Sequence, residues 1–256
     1  MEVCDESASY RLAALMLIGI TRVRNEALII EDTIKHFLGY CTHVILYDDC
    51  STDDTVALAL SAGGDRLSLI RGDHWSLNRV AEETRHRSLL LDEARSMGAD
   101  WVLCFDADER LEGELPELRG AGFCFRLFDG YMTSAFCDPH RRGSLAKLPR
   151  LWGPEYRDIL MLFRTDSAQY KGLDQREPIV AGSIALAPVY VRHYGKCLSI
   201  QHWEDTCEYY AKYFPKRYQV KWQARKGRAI HTLSDFHRTL YTWRQLMEKP
   251  ESWVQI

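Results

Sequence analysis

The chain has 256 residues, of which 46% are hydrophobic and 27% charged, and its formal net charge is −3. This length can bury a full hydrophobic core, and this charge gives no general attraction to nucleic acid or to an anionic membrane. Either partner would therefore require a local basic patch. The eight cysteines include no Cys-x-x-Cys pair, so we expect free thiols in a reducing compartment rather than a disulfide framework or a zinc site.

The beginning of the chain bears on localisation. Residues 1–6 are acidic where a signal peptide would be basic, and the apolar run at residues 12–20 is too short to span a bilayer. We therefore expect a soluble, cytoplasmic protein that could still contact the inner face of a membrane peripherally.

Apolar runs and helical patterns alternate in the first half of the chain. Four apolar runs have the composition of buried strands: residues 15–20, 43–47, 67–70 and 101–105. Three helical patterns connect them: residues 25–37, 52–62 and 78–97. Asn25 is the expected N-cap of the first helix, and Gly98 ends the third. This β-α-β-α-β-α-β order predicts a mostly parallel sheet.

The alternation weakens after Arg110. The elements expected there are a short helix at residues 115–118, strands at 122–128, 159–163 and 189–191, and helices at 202–214 and 234–248. Residues 129–156 have the composition of loops, and Pro215 should end the helix before it. The second half is therefore expected to pack onto the sheet of the first half.

Two carboxylates follow the fourth apolar run. Asp106 and Asp108 would lie at the carboxyl end of a parallel strand, where ligands bind in open α/β sheets. Carboxylates this close repel each other unless a cation lies between them, and their oxygens suit Mg²⁺ or Mn²⁺ with a phosphate-bearing substrate. A polar strand end or a helix cap explains the same pair equally well at this point.

The second strand also ends in acids. Asp48 and Asp49 are followed by Ser51 and Thr52 before the next helix. A carboxylate in this position can accept hydrogen bonds from a nucleobase or a ribose. The alternative is a capping box, and both interpretations can hold together.

Three segments of this chain stand in the order and spacing found in one enzyme family: residues 22–26, 47–55 and 105–109. On these segments the chain resembles family 2 glycosyltransferases of the GT-A fold, over about residues 15–215. With Leu162-Phe163-Arg164 and His193-Tyr194, it is most similar to the bacterial members that build lipopolysaccharide and capsule cores.

The resemblance implies an α/β GT-A fold, which is Rossmann-like with a mostly parallel central sheet flanked by helices. The catalytic domain would cover residues 1–198, with a nucleotide-sugar half at about 12–110 and an acceptor half at about 111–198. A helical C-terminal extension, residues 199–256, would pack on it. The implied activity is metal-dependent, inverting transfer of a sugar from a nucleotide-sugar, with a UDP-sugar favoured, to a hydroxyl of a cell-surface glycan or a lipid-linked saccharide.

The resemblance also implies roles for individual residues. The expected nucleotide-sugar contacts are Thr21, Arg22, Asn25, Glu26, Asp49, Arg85, Asp106 and Ala107. Mn²⁺ or Mg²⁺ would be held by Asp108, Asp106 and His193. Glu177 is the first choice for the general base and Asp174 the second, although Arg176 replaces the histidine of the related Val-His-Glu signature. An ordinary charged loop at residues 172–178 is the alternative.

A basic, aromatic segment follows at residues 209–228. Such a segment can contact an anionic lipid surface or a phosphorylated glycan, and it can equally be a helix that packs on one face and is solvated on the other. We expect a peripheral contact with anionic membrane through this segment and do not expect nucleic acid as a partner.

Other functions fit part of the pattern. A phosphohydrolase of the haloacid dehalogenase class would use Asp106 as nucleophile and Asp108 as acid, although about 100 residues precede the motif here. A sugar nucleotidyltransferase would need a glycine-rich loop after the first strand, and residues 21–26 contain no glycine. A non-catalytic glycan- or lipid-binding domain would require a metal site that no longer functions.

Overall fold

The computed structural model describes residues 15–173 and 175–256. The strands are β1 (Leu17–Val23), β2 (His43–Asp48), β3 (Leu67–Arg71), β4 (Trp101–Cys104), β5 (Glu109–Glu112), β6 (Gly122–Tyr131), β7 (Leu151–Arg164), β8 (Ala168–Gln169), β9 (Ile179–Val180), β10 (Ile184–His193) and β11 (Val254–Gln255). The α-helices are α1 (Ile30–Phe37), α2 (Thr55–Gly63), α3 (Arg79–Ser96), α4 (Ile200–Tyr213), α5 (Lys216–Gln223) and α6 (Trp243–Met247).

A nine-stranded mixed sheet organises the described residues, and β8 and β9 form a separate two-stranded sheet. Eight of its strands follow the order β3-β2-β1-β4-β7-β6-β10-β5, and β11 adds to β7. The pairs from β3 through β2 and β1 to β4 are all parallel. The predicted α/β class, with a mostly parallel central sheet and flanking helices, is therefore confirmed.

The parallel strands bring three strand ends together. In the β1–β2 register Val23 lies opposite Asp48, and in the β1–β4 register Ile20 lies opposite Cys104. The segments after β1, β2 and β4 therefore leave the sheet at one edge, as expected for parallel strands.

The second half of the sheet differs from the sequence prediction. Strand β7 has 14 residues and begins at Leu151, inside the region predicted as loops. It pairs antiparallel with both β4 and β6, while β10 pairs parallel with β6 and antiparallel with β5. These pairings join residues far apart in sequence, so a local apolar pattern reveals only the buried centre of each strand.

The prediction for the first helix was wrong at its start. Strand β1 continues to Val23 because Arg22 and Val23 still pair with β2, and α1 begins only at Ile30. Asn25 is not an N-cap: it has a φ of 56°, and its side-chain oxygen accepts a hydrogen bond from the Thr52 backbone at 2.8 Å. Asn25 thus joins the loops that follow β1 and β2.

Two predicted helices are absent or shorter. Residues 114–119 have no regular secondary structure, and within residues 234–248 only Trp243–Met247 are α-helical. Ser234 and Tyr241 bond instead to β7, through Glu155 at 2.7 Å and the Trp152 carbonyl at 2.9 Å. The C-terminal extension is consequently part helix, part extended chain, and ends in β11.

Hydrophobic cores lie on both faces of the sheet. Phe37 of α1 stacks on Phe105, with ring centroids 3.5 Å apart, and Tyr47 of β2 stacks on His86 of α3 at 3.9 Å. At the C-terminus, Trp253 contacts the rings of Phe128 and Tyr190. Helices α1 and α3 thus cover opposite faces next to the strand ends described above. Among the described residues, no helix combines the length and the apolar character that a membrane span requires.

Candidate active site

A cavity of about 1040 Å³ opens where β1 and β4 end. Its walls come from the loop after β1, the loop after β4, helix α3, the end of β10 and helices α4 and α5. Seven of the residues singled out from the sequence line it: Arg22, Asn25, Glu26, Asp106, Ala107, Asp108 and His193. Their sequence positions are far apart, and the parallel strand ends bring them together.

Other predicted site residues do not line the cavity. Thr21 is 1% exposed within β1, Asp49 is 1% exposed beneath the loop after β2, and Arg85 and Glu177 lie outside the cavity wall. Asp174 lies outside the described residues.

Asp106 is held by two arginines. Arg87 donates to its Oδ1 at 3.0 Å, and Arg176 donates to its Oδ2 at 3.2 Å. Desolvation raises the pKa of Asp106, but Arg176 and Arg87 outweigh it and lower that pKa to about 2. Asp106 is therefore ionised at neutral pH, and both of its oxygens already have cationic partners.

Asp108 faces a histidine instead. Its Oδ2 lies 3.2 Å from His193 Nε2, and His193 Nδ1 lies 2.6 Å from Asp129 Oδ1. Burial lowers the pKa of His193, but the Asp108 and Asp129 carboxylates raise it to about 10. In the absence of another cation, the imidazole is thus a protonated bridge between two carboxylates.

His202 was missed by the sequence analysis. It lies in the first turn of α4, lines the same cavity, and its buried Nδ1 has no hydrogen-bond partner among the described residues. Burial lowers its pKa, while the nearby Asp108 carboxylate raises it. The sequence did contain a sign of this placement. His202 follows His193 by only nine residues, and a helix that starts soon after β10 lies near the same edge of the sheet.

Arg87, and not the predicted Arg85, lines the cavity. Arg85 pairs with Glu82 on α3, whereas Arg87 lines the cavity and pairs with Asp106 and Glu83. Residues two apart on a helix point about 200° apart. The side chain of Arg85 therefore leaves α3 on nearly the opposite side from that of Arg87, away from the cavity.

Asp49 is buried beneath the loop after β1, where its carboxylate binds two arginines. Arg22 donates to its Oδ2 at 2.9 Å, and Arg79 also pairs with Oδ2. Its Oδ1 is buried without a hydrogen-bond partner among the described residues. A buried carboxylate oxygen of this kind is an acceptor that lacks its donor.

The segment predicted to hold the base is engaged elsewhere. Arg176 donates to both Glu109 oxygens, at 2.6 and 2.8 Å. Glu177 is exposed, and its Oε2 accepts a hydrogen bond from the Leu160 backbone at 2.7 Å. Arg176 thus reaches the carboxylates after β4, while the carboxylate of Glu177 is fixed against β7.

The side chains next to Asp108 fit a divalent cation in part. Among the described residues, no group of three His, Cys, Asp or Glu side chains is arranged to hold a metal ion by itself. Asp108 and His193 nevertheless converge, Asp129 orients the imidazole as outer carboxylates do at metal sites, and His202 adds an unpaired nitrogen. Mg²⁺ commonly takes one or two carboxylates plus substrate phosphates, so such a set fits a metal that binds together with its nucleotide.

Comparisons with known proteins give a distant similarity. No family model and no curated protein matches the sequence. Among solved structures, the chain is similar to glucosyl-3-phosphoglycerate synthase from Mycobacterium tuberculosis in complex with Mg²⁺ and uridine diphosphate, with 19% identity, a TM-score of 0.29, and coverage of 38% of this chain and 35% of that chain. The chain thus spans about a third of the length of that enzyme.

Two further solved structures cover more of the chain. S. aureus TarS 1-349 in complex with UDP has 14% identity and a TM-score of 0.39, covering 83% of this chain and 70% of that chain. HddC from Yersinia pseudotuberculosis has 9% identity and a TM-score of 0.37, covering 76% of this chain and 99% of that chain.

Proposed function

We propose that this protein is a GT-A-type glycosyltransferase that uses a nucleotide-sugar donor and a divalent cation. The observation that carries the proposal is the convergence of Asp108 and His193, the latter oriented by Asp129, in a large cavity at the ends of β1 and β4. Parallel strand ends are where α/β sheets bind nucleotides, and an acid–imidazole pair beside them suits a metal that neutralises a diphosphate.

The donor would lie along the loops after β1 and β4. Arg22, Asn25 and Glu26 line this side of the cavity together with Ala107. Asp49 remains a prediction for the nucleobase contact: its Oδ1 lacks a hydrogen-bond partner among the described residues, but it is buried outside the cavity wall, so a nucleobase would reach it only if the loop after β1 moved. Mn²⁺ or Mg²⁺, held by Asp108 with His193 or His202, would supply charge neutralisation of the leaving nucleoside diphosphate.

The transfer step needs a base for the acceptor. In the proposed inverting reaction the acceptor hydroxyl attacks the anomeric carbon, the bond to the diphosphate breaks, and the hydroxyl proton passes to a carboxylate. Glu177 and Asp174 remain predictions for this role. Glu26 and Asp205 are cavity-lining carboxylates without an ion pair in the described chain. Because burial and then Asp108 raise the pKa of Glu26 well above its usual range, Asp205 is the better additional candidate.

The phosphohydrolase alternative receives less support from the site. Its nucleophile would be Asp106, and both oxygens of Asp106 are engaged by arginines. A nucleophilic carboxylate needs a free oxygen to attack phosphorus. Asp106 is better placed to hold Arg87 at the cavity wall and Arg176 behind it.

The finer assignments are also proposals. Membership of family 2, a lipopolysaccharide or capsule acceptor, a cytoplasmic location and a peripheral membrane contact through residues 209–228 are supported by sequence resemblance and composition. UDP is the favoured nucleotide on the same grounds, and manganese the favoured cation.

The test is calorimetric titration of UDP, GDP, CDP and dTDP with Mn²⁺ and then with EDTA. We expect one diphosphate to bind in a Mn²⁺-dependent manner and Asp108→Ala to weaken this binding at least tenfold, because the metal loses its carboxylate. Asp166→Ala, which removes an exposed acid outside the cavity, is the matched control and should bind as wild type does. Absence of binding for every nucleotide, or equal binding with EDTA, would refute the proposal.

A further inference from the structure

The cavity has a second charged region beyond His193. Four cationic side chains line it, from three parts of the chain: Arg157 on β7, Lys196 after β10, and Lys221 and Arg225 on and after α5. None of these residues belongs to the donor side formed by the loops after β1 and β4.

The carboxylates that face this group do not neutralise it. Lys196 Nζ lies 2.6 Å from Asp129 and 2.7 Å from Asp235, and Arg225 lies 2.6 Å from Asp235. The negative charges of Asp129 and Asp235 are therefore offset by the positive charges of Lys196 and Arg225.

The other two cations are in excess. Arg157 reaches Asp129 only at 3.4 Å, and Lys221 has no hydrogen bond or ion pair within the described part of the chain. Partial burial lowers the pKa of Lys221, and the neighbouring Arg225 and Lys196 lower it further. The region thus has a positive potential with two side chains available to an anion.

An apolar ring lies beside these cations. Phe236 lines the same cavity and is 48% exposed, and its ring stacks on no other aromatic ring among the described residues. An exposed aromatic face next to charged donors is typical of sites that bind amphipathic ligands such as saccharides.

The region is also linked to the proposed metal pair. Asp108 contacts His193, His193 contacts Asp129, and Asp129 contacts Lys196. Lys196 then contacts Asp235, which contacts Arg225. A ligand held here would consequently lie next to the site where the sugar leaves the donor.

We propose that this region binds the acceptor and that the acceptor carries a phosphate or carboxylate group, held by Arg157 and Lys221 next to Phe236. This inference rests on the proposed function, since an acceptor exists only if the cavity transfers a sugar. It assigns to Lys221, within the segment 209–228, a role inside the cavity.

The experiment measures binding of glucose 6-phosphate, glucuronate and neutral glucose to the full chain with UDP and Mn²⁺ present. We expect both anionic probes to bind at least about tenfold more tightly than glucose, because charge-assisted hydrogen bonds are the stronger ones. Lys221→Met and Arg157→Met should each weaken their binding by about tenfold and leave UDP binding unchanged. Lys216→Met, on the same helix but outside the cavity wall, is the matched control.

The outcomes separate the two proposals. Anionic probes that bind no better than glucose while UDP binds would overturn the acceptor subsite alone. Loss of UDP binding in Lys221→Met or Arg157→Met would assign these cations to the donor diphosphate and overturn it too. Absence of UDP binding in the wild type would overturn the proposed function itself.

Discussion

At the scale of single residues, Gly195 leaves room for the Asp108–His193 contact. A Cβ at this position would overlap Asp108 Oδ2 and lie 2.9 Å from His193 Nε2. The Tyr194 backbone also donates to the Asp108 carbonyl at 2.8 Å, which fixes the chain close to the carboxylate. The glycine therefore allows a close approach that a larger residue would prevent.

We expect Gly195→Ala to weaken Mn²⁺-dependent UDP binding by about tenfold or more, since displaced ligands at metal sites cost affinity of this order. Calorimetric titration measures the effect, and the urea midpoint shows whether the fold is retained. Unchanged nucleotide affinity with an intact fold would contradict the role of this contact.

His36 makes folding stability dependent on pH. It accepts a hydrogen bond from the Leu111 backbone at 2.9 Å, and burial followed by the Arg110 charge lowers its pKa to about 4. The folded pKa is below the unfolded value of about 6.5. As the pH falls, His36 is therefore protonated in the unfolded state before it is protonated in the folded state. The free energy of unfolding consequently decreases between about pH 6.5 and pH 4.

The substitution His36→Gln should make stability less dependent on pH in this window, because glutamine can accept the same hydrogen bond without titrating. Urea unfolding at pH 7 and at pH 4.5 measures it, with the wild type losing up to about 3 kcal/mol more than the variant. Parallel pH profiles for the two proteins would contradict the assignment.

Several residues that line the cavity were singled out from the sequence because they stand at or just after strand ends. Asp106 and Asp108 at the end of β4, and His193 at the end of β10, line one cavity as strand-end residues should. Arg87 and His202 were not predicted. Their side chains reach the cavity only through the rotation of α3 and the docking of α4, and both depend on tertiary packing.

At the scale of elements, β11 and Trp253 attach the C-terminus to the sheet. The Trp253 ring lies 5.3 Å from Phe128 and 5.4 Å from Tyr190, and its indole N–H donates to the Leu246 carbonyl at 2.9 Å. The last residues therefore contribute to the packing of β6 and β10.

Trp253→Ala should lower the free energy of unfolding by about 3 kcal/mol, since it removes a large packed ring and one hydrogen bond to the Leu246 carbonyl, which then keeps only its bond from the Lys249 backbone. Trp253→Phe, which keeps most of the ring contacts, should lose less. Urea denaturation compares the two variants. A loss below about 0.5 kcal/mol for the alanine variant would mean that the C-terminus is not anchored.

The sequence predicts long elements better than short ones. Helix α3 begins and ends within one residue of its predicted bounds, with Asn78 as its N-cap, because capping and periodicity are local signals. Strands β5 and β11 have four and two residues, and they form where a partner strand is already present. The irregular chain around Ser234 likewise depends on its bonds to β7.

At the scale of the whole molecule, the cysteines are dispersed through the cores. Cys41, Cys104, Cys197 and Cys207 are buried, and the described cysteines are all free thiols. Burial raises the pKa of Cys41 and Cys197 to about 12. Thiols of this kind are poorly reactive because the thiolate is the nucleophile.

We expect these four cysteines to resist modification by a disulfide reagent in the native protein and to react fully in denaturant. Mass spectrometry of the labelled peptides identifies the sites. Rapid native labelling of any of the four, or a denaturation midpoint that falls when reductant is added, would show that the packing or the redox state is different.

The parallel half of the sheet was predictable, whereas the position of β7 between β4 and β6 was not. Local apolar patterns report burial, and a strand such as β7, whose partner residues in β4 and β6 lie from 20 (Tyr131 and Leu151) to 63 (Trp101 and Arg164) positions away, carries no local sign of its neighbours. The class of the fold therefore follows from the first hundred residues, and the order of the second half does not.

The linked contacts from Asp108 to Arg225 have a consequence for how the proposed transferase would diversify. The proposed donor side is encoded before residue 110, and the proposed acceptor side is encoded by Arg157, Lys196 and the segment from Lys221 to Phe236. The contact between Asp108 and His193 joins the two sides. Exchange of the chain after residue 110, which includes Arg157, Lys196 and Lys221, for that of a related chain should therefore retarget the acceptor and preserve nucleotide selection, so that specificity for the two substrates can evolve separately.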